Sequence, residues 1–420
     1  MKIKKTLLCM LMLIIVSFSG CGQEEVQISE QKEQVVISVL AGQSTSDAGV
    51  EDMIEEKISV VLPEVKLEWE CVDWGERFES RIRARFAAGD VPDIIIGKAQ
   101  DVKTYYSTGN LAPIDEELLQ GIEESALKSV TIGEECYGIP FNVWYQGVVY
   151  HKRIFECLGL KVPKTREELS EVIKVLKDNE ITPFASHYLE SWKIGNTTMQ
   201  FMINEVFNQN PVWGDDFRKS KVNYQNNKVI RCCMENNKEI LENSWEDALL
   251  INQFTCDTRF ERQEAAMYLT GSWSLQLLNQ YAEEEKYGIF PYPNLTGDAK
   301  LIRETNMTFM KSAVTSNEEI VDEILKVIVQ DKELIGEILE FTQTYPVQNI
   351  EKDSFGGCIQ KDIESYEKNG EVIEAAIGNA QIIWPFQNDV ASQEQLWLQG
   401  KKSLEDVLEY ADEHRTESIR

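Results

Sequence analysis

The 420-residue chain is poor in the residues that usually do chemistry. It holds three histidines, His151, His187 and His414, scattered too widely to suggest a zinc site or a Ser-His-Asp system. It has no CxxC pair, no phosphate-binding loop and no nucleophile elbow. Positive charge is also short. Lys and Arg number 42 against 71 Asp and Glu, a net charge of −29, which argues against nucleic acid or an anionic lipid face as partner. It also disfavours an anionic ligand. So many acids make carboxylate pairs arise by chance everywhere, so they give no signal for a glycosidase. Besides Cys9 and Cys21 there are seven cysteines, an odd number and a poor disulfide framework. Adjacent Cys232 and Cys233 suit neither a usual disulfide nor zinc, and most of these thiols read as small buried hydrophobes. Many free thiols in an exported chain suggest a reducing habitat.

What is present begins at the N-terminus. Lys2, Lys4 and Lys5 precede an apolar run from Thr6 to Val16, then the small residues Ser17, Ser19 and Gly20. Residues 1–20 therefore read as a secretory signal peptide, too short to span a bilayer stably. Small residues before Cys21 resemble the bacterial lipobox, with Phe18 where Leu is usual. The resemblance implies lipidation of Cys21 and export to the outer face of the cell membrane. Each buried CH₂ of an acyl chain would add about 0.8 kcal/mol to the anchor. Loss of the three signal lysines takes the charge from −29 to −32. Residues 21–34 carry the lipid cysteine and a polar tether with too few apolar side chains for a core. The nearly four hundred residues beyond exceed one ordinary core, so two lobes are expected.

The apolar spacing then alternates between strand and helix. Val35–Leu40, Val65–Cys71 and Asp93–Ile96 read as strands, with helical patterns over Asp47–Leu62 and Trp74–Ala88 between them. A β-α-β-α-β order specifies a parallel sheet covered by helices. Further on, Gly147–Tyr150, Ile181–Ala185 and Glu264–Leu269 read as strands. Thr165-Arg166-Glu167-Glu168, Ser316-Asn317-Glu318-Glu319 and Ser403–Asp406 read as capping boxes.

Four segments together resemble the family 1 extracellular solute-binding proteins, the substrate-capturing subunits of carbohydrate ABC importers. They are Phe86-Ala87-Ala88-Gly89-Asp90-Val91-Pro92-Asp93 with Gly109-Asn110-Leu111-Ala112-Pro113; Tyr137-Gly138-Ile139-Pro140-Phe141 with Gly147–Lys152; Gly159–Thr165; and Ala265-Ala266-Met267 with Gly271-Ser272-Trp273 and Gly288–Pro293. His151 stands where the family usually has Asn. The resemblance implies an α/β type II periplasmic-binding-protein fold, with two lobes joined by a hinge and a ligand cleft between them. Lobe 1 is expected at residues 35–114 plus 300–340, and lobe 2 at 115–296 plus 345–420. It also implies ABC permease subunits as partners, a monomer, no cofactor, no metal and no catalytic residue.

Sugar rings offer apolar faces to aromatic plates and hydroxyl rims to polar groups. The nine tryptophans therefore matter most where they fall near strand ends. Trp273, after Gly271-Ser272, stands where sugar-binding relatives stack a ring. Asn142, Trp144 and Tyr145 lie between Pro140 and the Gly147 strand. Trp384 and Gln387 fall in an apolar, loop-like stretch. Gln43 and Ser44 follow the first strand, Lys98 and Gln100 the third, and Trp74 opens a helix. Trp192 and Trp213 complete the expected ligand contacts. The same fold could instead serve a sugar-sensing accessory of a membrane kinase, or bind a non-sugar solute.

Overall fold

The computed structural model describes residues 34–43, 47–275, 286–348, 357–375 and 382–418. The expected signal segment, Cys21, the tether before residue 34 and Ser44 lie outside the described residues. The strands are β1 (Val35–Gln43), β2 (Val65–Asp73), β3 (Ile94–Gly97), β4 (Thr131–Ile132), β5 (Glu135–Cys136), β6 (Ile139–Pro140), β7 (Asn142–His151), β8 (Phe184–Ala185), β9 (Met267–Gly271), β10 (Tyr287–Phe290), β11 (Leu301–Thr305), β12 (Thr308–Lys311), β13 (Tyr345–Pro346) and β14 (Val372–Glu374).

Lobe 1 is built on the order β2-β1-β3-β12-β6, in which β1 runs parallel to both β2 and β3 and β12 runs antiparallel. Its strands bury both faces. Ile37, Val39, Ile94 and Ile96 face the helices Val50–Val61, Glu318–Gln330 and Lys332–Thr342. Leu40 and Ile95, on the opposite face, meet Phe78, Ile82, Val102 and Tyr105 of the helices Glu76–Ala88 and Ala99–Ser107. Alternation along a strand sends neighbouring residues to opposite layers, and both layers are apolar because helices cover both.

Lobe 2 has the order β14-β11-β7-β9-β8, with β10 and β13 also pairing along the ten-residue β7. The helices Ser191–Met202, Lys228–Glu242, Trp384–Leu398 and Leu404–Glu413 cover one face, around Val148, Ile194, Met202, Ile230, Phe386 and Leu408. Tyr145, Phe260, Tyr268 and Tyr287 fill the other. Thr165 and Ser403 form capping boxes, their hydroxyls accepting from the Glu168 and Asp406 N–H groups. The box expected at Ser316 does not form. Asn317 caps that helix without a side-chain bond, and its N–H donates to Thr315 Oγ1. All seven described cysteines are free thiols.

The chain leaves lobe 1 later than the sequence suggested. β6 still pairs with lobe 1's β12, and Phe141 belongs to the lobe 1 core, so the crossing falls at 141/142 rather than 114/115. The helix Glu124–Val130 bridges the lobes, with Ala126 in a lobe 2 cluster and Val130 in a lobe 1 cluster. β11 belongs to lobe 2, so the return comes after Thr305 rather than at 300. A third crossing runs from Thr342, at the end of a lobe 1 helix, to Tyr345 on β13.

One side chain binds all three crossings. Asn142 is fully buried. Its Oδ1 accepts from the Met307 N–H at 2.9 Å, and its Nδ2 donates to Thr344 Oγ1 at 2.9 Å. Its backbone carbonyl accepts from the Asn306 N–H at 2.9 Å. Asn142 is thus a hinge tie, and both ends of the amide expected to meet ligand are already bonded. Asn142→Ala would strand the buried Met307 N–H and leave the Thr344 hydroxyl with Thr342 alone, at about 1–3 kcal/mol. We expect a clearly lowered urea midpoint, with the far-UV circular dichroism of the folded state preserved.

Candidate functional site

The carboxyl ends of β1, β3 and β9 set the residues that line the cleft, as is usual where strands end in an open α/β sheet. Trp74 follows β2. Its N–H donates to the Gln43 carbonyl at 3.1 Å, and its ring lies over Gly42, where an added Cβ would fall 2.1 Å from the ring. Trp273 lies the same way over Gly271, where a Cβ would fall 1.9 Å away. The two glycines are therefore seats for two half-buried indoles. Trp144, on β7, meets Trp273 with ring centroids 5.3 Å apart. Lys98, just past β3, puts its Nζ 5.3 Å from the Trp74 ring and 5.7 Å from the Trp144 ring. One cation thus joins an indole of lobe 1 to an indole of lobe 2. Trp74 Nε1 and Trp144 Nε1 are enclosed and have no hydrogen-bond partner among the described residues.

Polar groups continue along this face. Glu304 pairs across the ladder with Trp144 and accepts from the Gln146 amide. Gln146 Oε1 accepts from Asn196 at 3.0 Å, and Asn196 Oδ1 accepts from Gln200 at 2.9 Å. Asp101 accepts the Lys98 N–H at 3.0 Å. Desolvation raises the carboxyl pKa of Asp101 to about 6, opposed by the Lys98 N–H and ammonium. Desolvation also lifts Glu79 to about 7, with Asp101 and, from lobe 2, Asp389 pushing the same way. Glu304 is raised by desolvation and opposed by Lys98.

The expected contacts divide accordingly. Trp74, Lys98, Trp144 and Trp273 come together. Trp144 and Tyr145 lie within β7 rather than ahead of the Gly147 strand, and alternation sends them to opposite faces. Tyr145 is a core residue, its ring 5.0 Å from Tyr345 and its hydroxyl donating to Glu367. Trp213 is also core, stacked on Phe217 at 5.2 Å and edge-on to Tyr224. The stretch around Trp384 is a helix with Pro385 in its first turn, not a loop. Trp384 packs against the lobe 2 core. Gln387 is buried there, donating to the Tyr224 hydroxyl at 3.4 Å. Gln43 is held at the start of the next helix, donating to Glu51 at 2.7 Å. Trp192 rests on buried His187 at 5.4 Å, and Gln100 is half-buried in the first turn of the Ala99–Ser107 helix, not in a loop. His151 packs on Phe260 and Tyr287 with its Nε2 at 2.8 Å from the Phe260 carbonyl, and desolvation lowers its pKa to about 4. Gln146, Asn196, Glu79 and Glu304 were absent from the expected set. Only Gln146 had a sequence signal, its two-residue spacing from Trp144 on one strand.

The glycine seats are testable without a ligand. Gly42→Ala and Gly271→Ala should each push an indole off its seat while leaving the sheets intact. Near-UV circular dichroism and tryptophan emission should change in both variants, with the far-UV spectrum retained.

The chain is similar to a multiple sugar-binding protein of Streptococcus mutans, 22% identical over 58% of this chain and 60% of that one. It is also similar to a maltotriose-binding protein of Pyrococcus abyssi, 23% identical over 59% of this chain and 51% of that one. It thus spans less than two thirds of these curated relatives. Among solved structures, a chitin oligosaccharide binding protein matches with a TM-score of 0.79 and 18% identity, over 92% of this chain and 99% of that one. That likeness shows the fold, two α/β lobes of the periplasmic-binding-protein type. The family model of the bacterial extracellular solute-binding proteins matches residues 41–333, and with the hinged two-lobe architecture around an indole-lined cleft the chain belongs to that family.

Proposed function

We propose that this protein captures a saccharide in the cleft between its lobes and delivers it to an ABC importer without altering it chemically. The observation that carries this is the convergence of Trp74 from lobe 1 with Trp144 and Trp273 from lobe 2, two of them seated on glycines. Indole plates match the apolar faces of sugar rings. Gln146, Asn196, Glu304 and Lys98 supply donors and acceptors for the hydroxyl rim. Binding groups on both lobes give a ligand differential affinity for a closed state, so it can drive hinge closure. The relatives named for sugars favour the same assignment. We further infer a monomer held outside the cell by lipid on Cys21, beside permease subunits. The protein is a carrier with no catalytic residue and no cofactor.

Titration with a panel of neutral mono- and oligosaccharides should shift tryptophan emission and raise the melting temperature. Trp273→Ala should weaken the best ligand by about tenfold, the loss of one stacked face at about 1.4 kcal/mol. A response to another solute class alone, with no saccharide active, would overturn the assignment.

A further inference from the structure

The helix Ser191–Met202 forms a wall of the cleft. Of its twelve residues only Ser191, Trp192 and Asn196 are not buried. Trp192 and Asn196 stand one turn apart on one face, about 6 Å along the axis. Two bonds fix where that face lies. Asn196 Nδ2 donates to Gln146 Oε1 at 3.0 Å, and Lys193 Nζ donates to the Leu269 carbonyl of β9 at 2.5 Å. Gln146 shares the Trp144 face of β7 and lies opposite Gly271, the seat of Trp273, in the β7–β9 ladder. Farther along, Asn204 bonds the backbone of Lys300, just before β11. Asn196 therefore meets the cleft beside the two indoles, and Trp192 stands one turn nearer the β8 edge of the sheet.

The three indoles follow the order of the strands. Trp144 lies on β7, Trp273 just past β9 and Trp192 on the helix reached from β8, and the sheet order is β7-β9-β8. β8 runs parallel to β9, Ala185 pairing with Tyr268, so their carboxyl ends lie at the same end of the sheet. Neighbouring strands are about 4.8 Å apart, and the Trp144 and Trp273 ring centroids are 5.3 Å apart. Each step is close to the length of one pyranose residue in a chain. Trp192 is held in place before any ligand arrives. Its ring packs on buried His187 at 5.4 Å, while Glu190 Oε2 lies 3.2 Å from His187 Nδ1 and accepts the Gln253 N–H at 3.1 Å. A plate fixed in advance costs little ordering entropy on binding. Leu189, Leu250 and Phe254, on the two segments that Glu190 joins, are exposed, so apolar surface continues beside Trp192. At the opposite end of the row Lys98 already lies over Trp74 and Trp144, so further rings extend the row on the Trp192 side.

Resting on the saccharide assignment above, we propose that the ligand is an oligosaccharide of at least three residues laid across the ends of β7, β9 and β8, with Trp192 as the stacking plate for its third ring. Asn196 keeps one N–H and one lone pair beyond its bonds to Gln146 and Gln200, and these meet hydroxyls between Trp273 and Trp192. A mono- or disaccharide reaches only the inner plates, so Trp192 sets the chain length that binds tightly.

Calorimetric titration of the full mature chain with malto-, cello-, xylo- and N-acetylchito-oligosaccharides of one to six residues tests this. In the series that binds best, affinity should rise by about tenfold or more from disaccharide to trisaccharide. Trp192→Ala should cancel that step, weakening the trisaccharide about tenfold and the disaccharide by less than about twofold. Trp192→Phe should restore most of it, whereas Trp273→Ala should weaken both lengths. The length series needs no variant, so it decides even if Trp192→Ala does not fold. A mono- or disaccharide that binds as tightly as the trisaccharide overturns the outer subsite, as does a Trp192→Ala variant that weakens both lengths alike or neither. Either result leaves the saccharide assignment standing. If no length of any series binds while another solute class does, the saccharide assignment itself is overturned.

Discussion

The architecture turns on the buried amide of Asn142. A two-lobe protein whose chain crosses three times has three adjacent backbones in its hinge, each with polar groups that water cannot reach. Asn142 meets the second crossing through Met307 and Asn306 and the third through Thr344, while its own backbone is the first. One side chain thus fixes where the crossings meet and where β7 begins. The Glu124–Val130 helix adds a second link. Arg303 Nη1 donates to Ser125 at 2.9 Å and to Glu374 at 2.7 Å, and its guanidinium also pairs with Glu123, holding the start of that helix to lobe 2.

From that fixed start, strand parity distributes the chemistry. Trp144 and Gln146 share the face that opens at the cleft. Val143, Tyr145 and Val149 share the face packed against Phe260 and Tyr268. A shift of one residue would exchange an indole plate for a core tyrosine, so the hinge tie also sets which aromatic meets a ligand. The glycine seats act on a smaller scale. Trp74 and Trp273 can lie flat at strand ends only because Gly42 and Gly271 carry no Cβ. The cation between the lobes then sits among acids that would otherwise repel.

Much of this architecture could be read from sequence. The β-α-β-α-β order of lobe 1 follows from β-branched runs such as Val35–Leu40 and from apolar side chains such as Ile54 and Ile58 four apart. Gly89 ends its helix in the left-handed region at φ 69°, the conformation glycine tolerates best. Trp273 could be singled out because a glycine, a serine and an indole followed a strand pattern. Tyr145, Trp213 and Gln387 could not be separated from it. Aromatic and amide side chains look alike in sequence whether they meet a ligand or a core, and only their neighbours decide.

The sequence by itself determined the alternation of strands and helices, the acidic balance and the tryptophan supply, because local periodicity and composition suffice for these. Only the tertiary structure decided where the chain changes lobes, that Asn142 binds the hinge and that Lys98 lies between Trp74 and Trp144. Those facts depend on contacts between residues as far apart as Asn142 and Thr344, and no local pattern encodes which distant partners will meet.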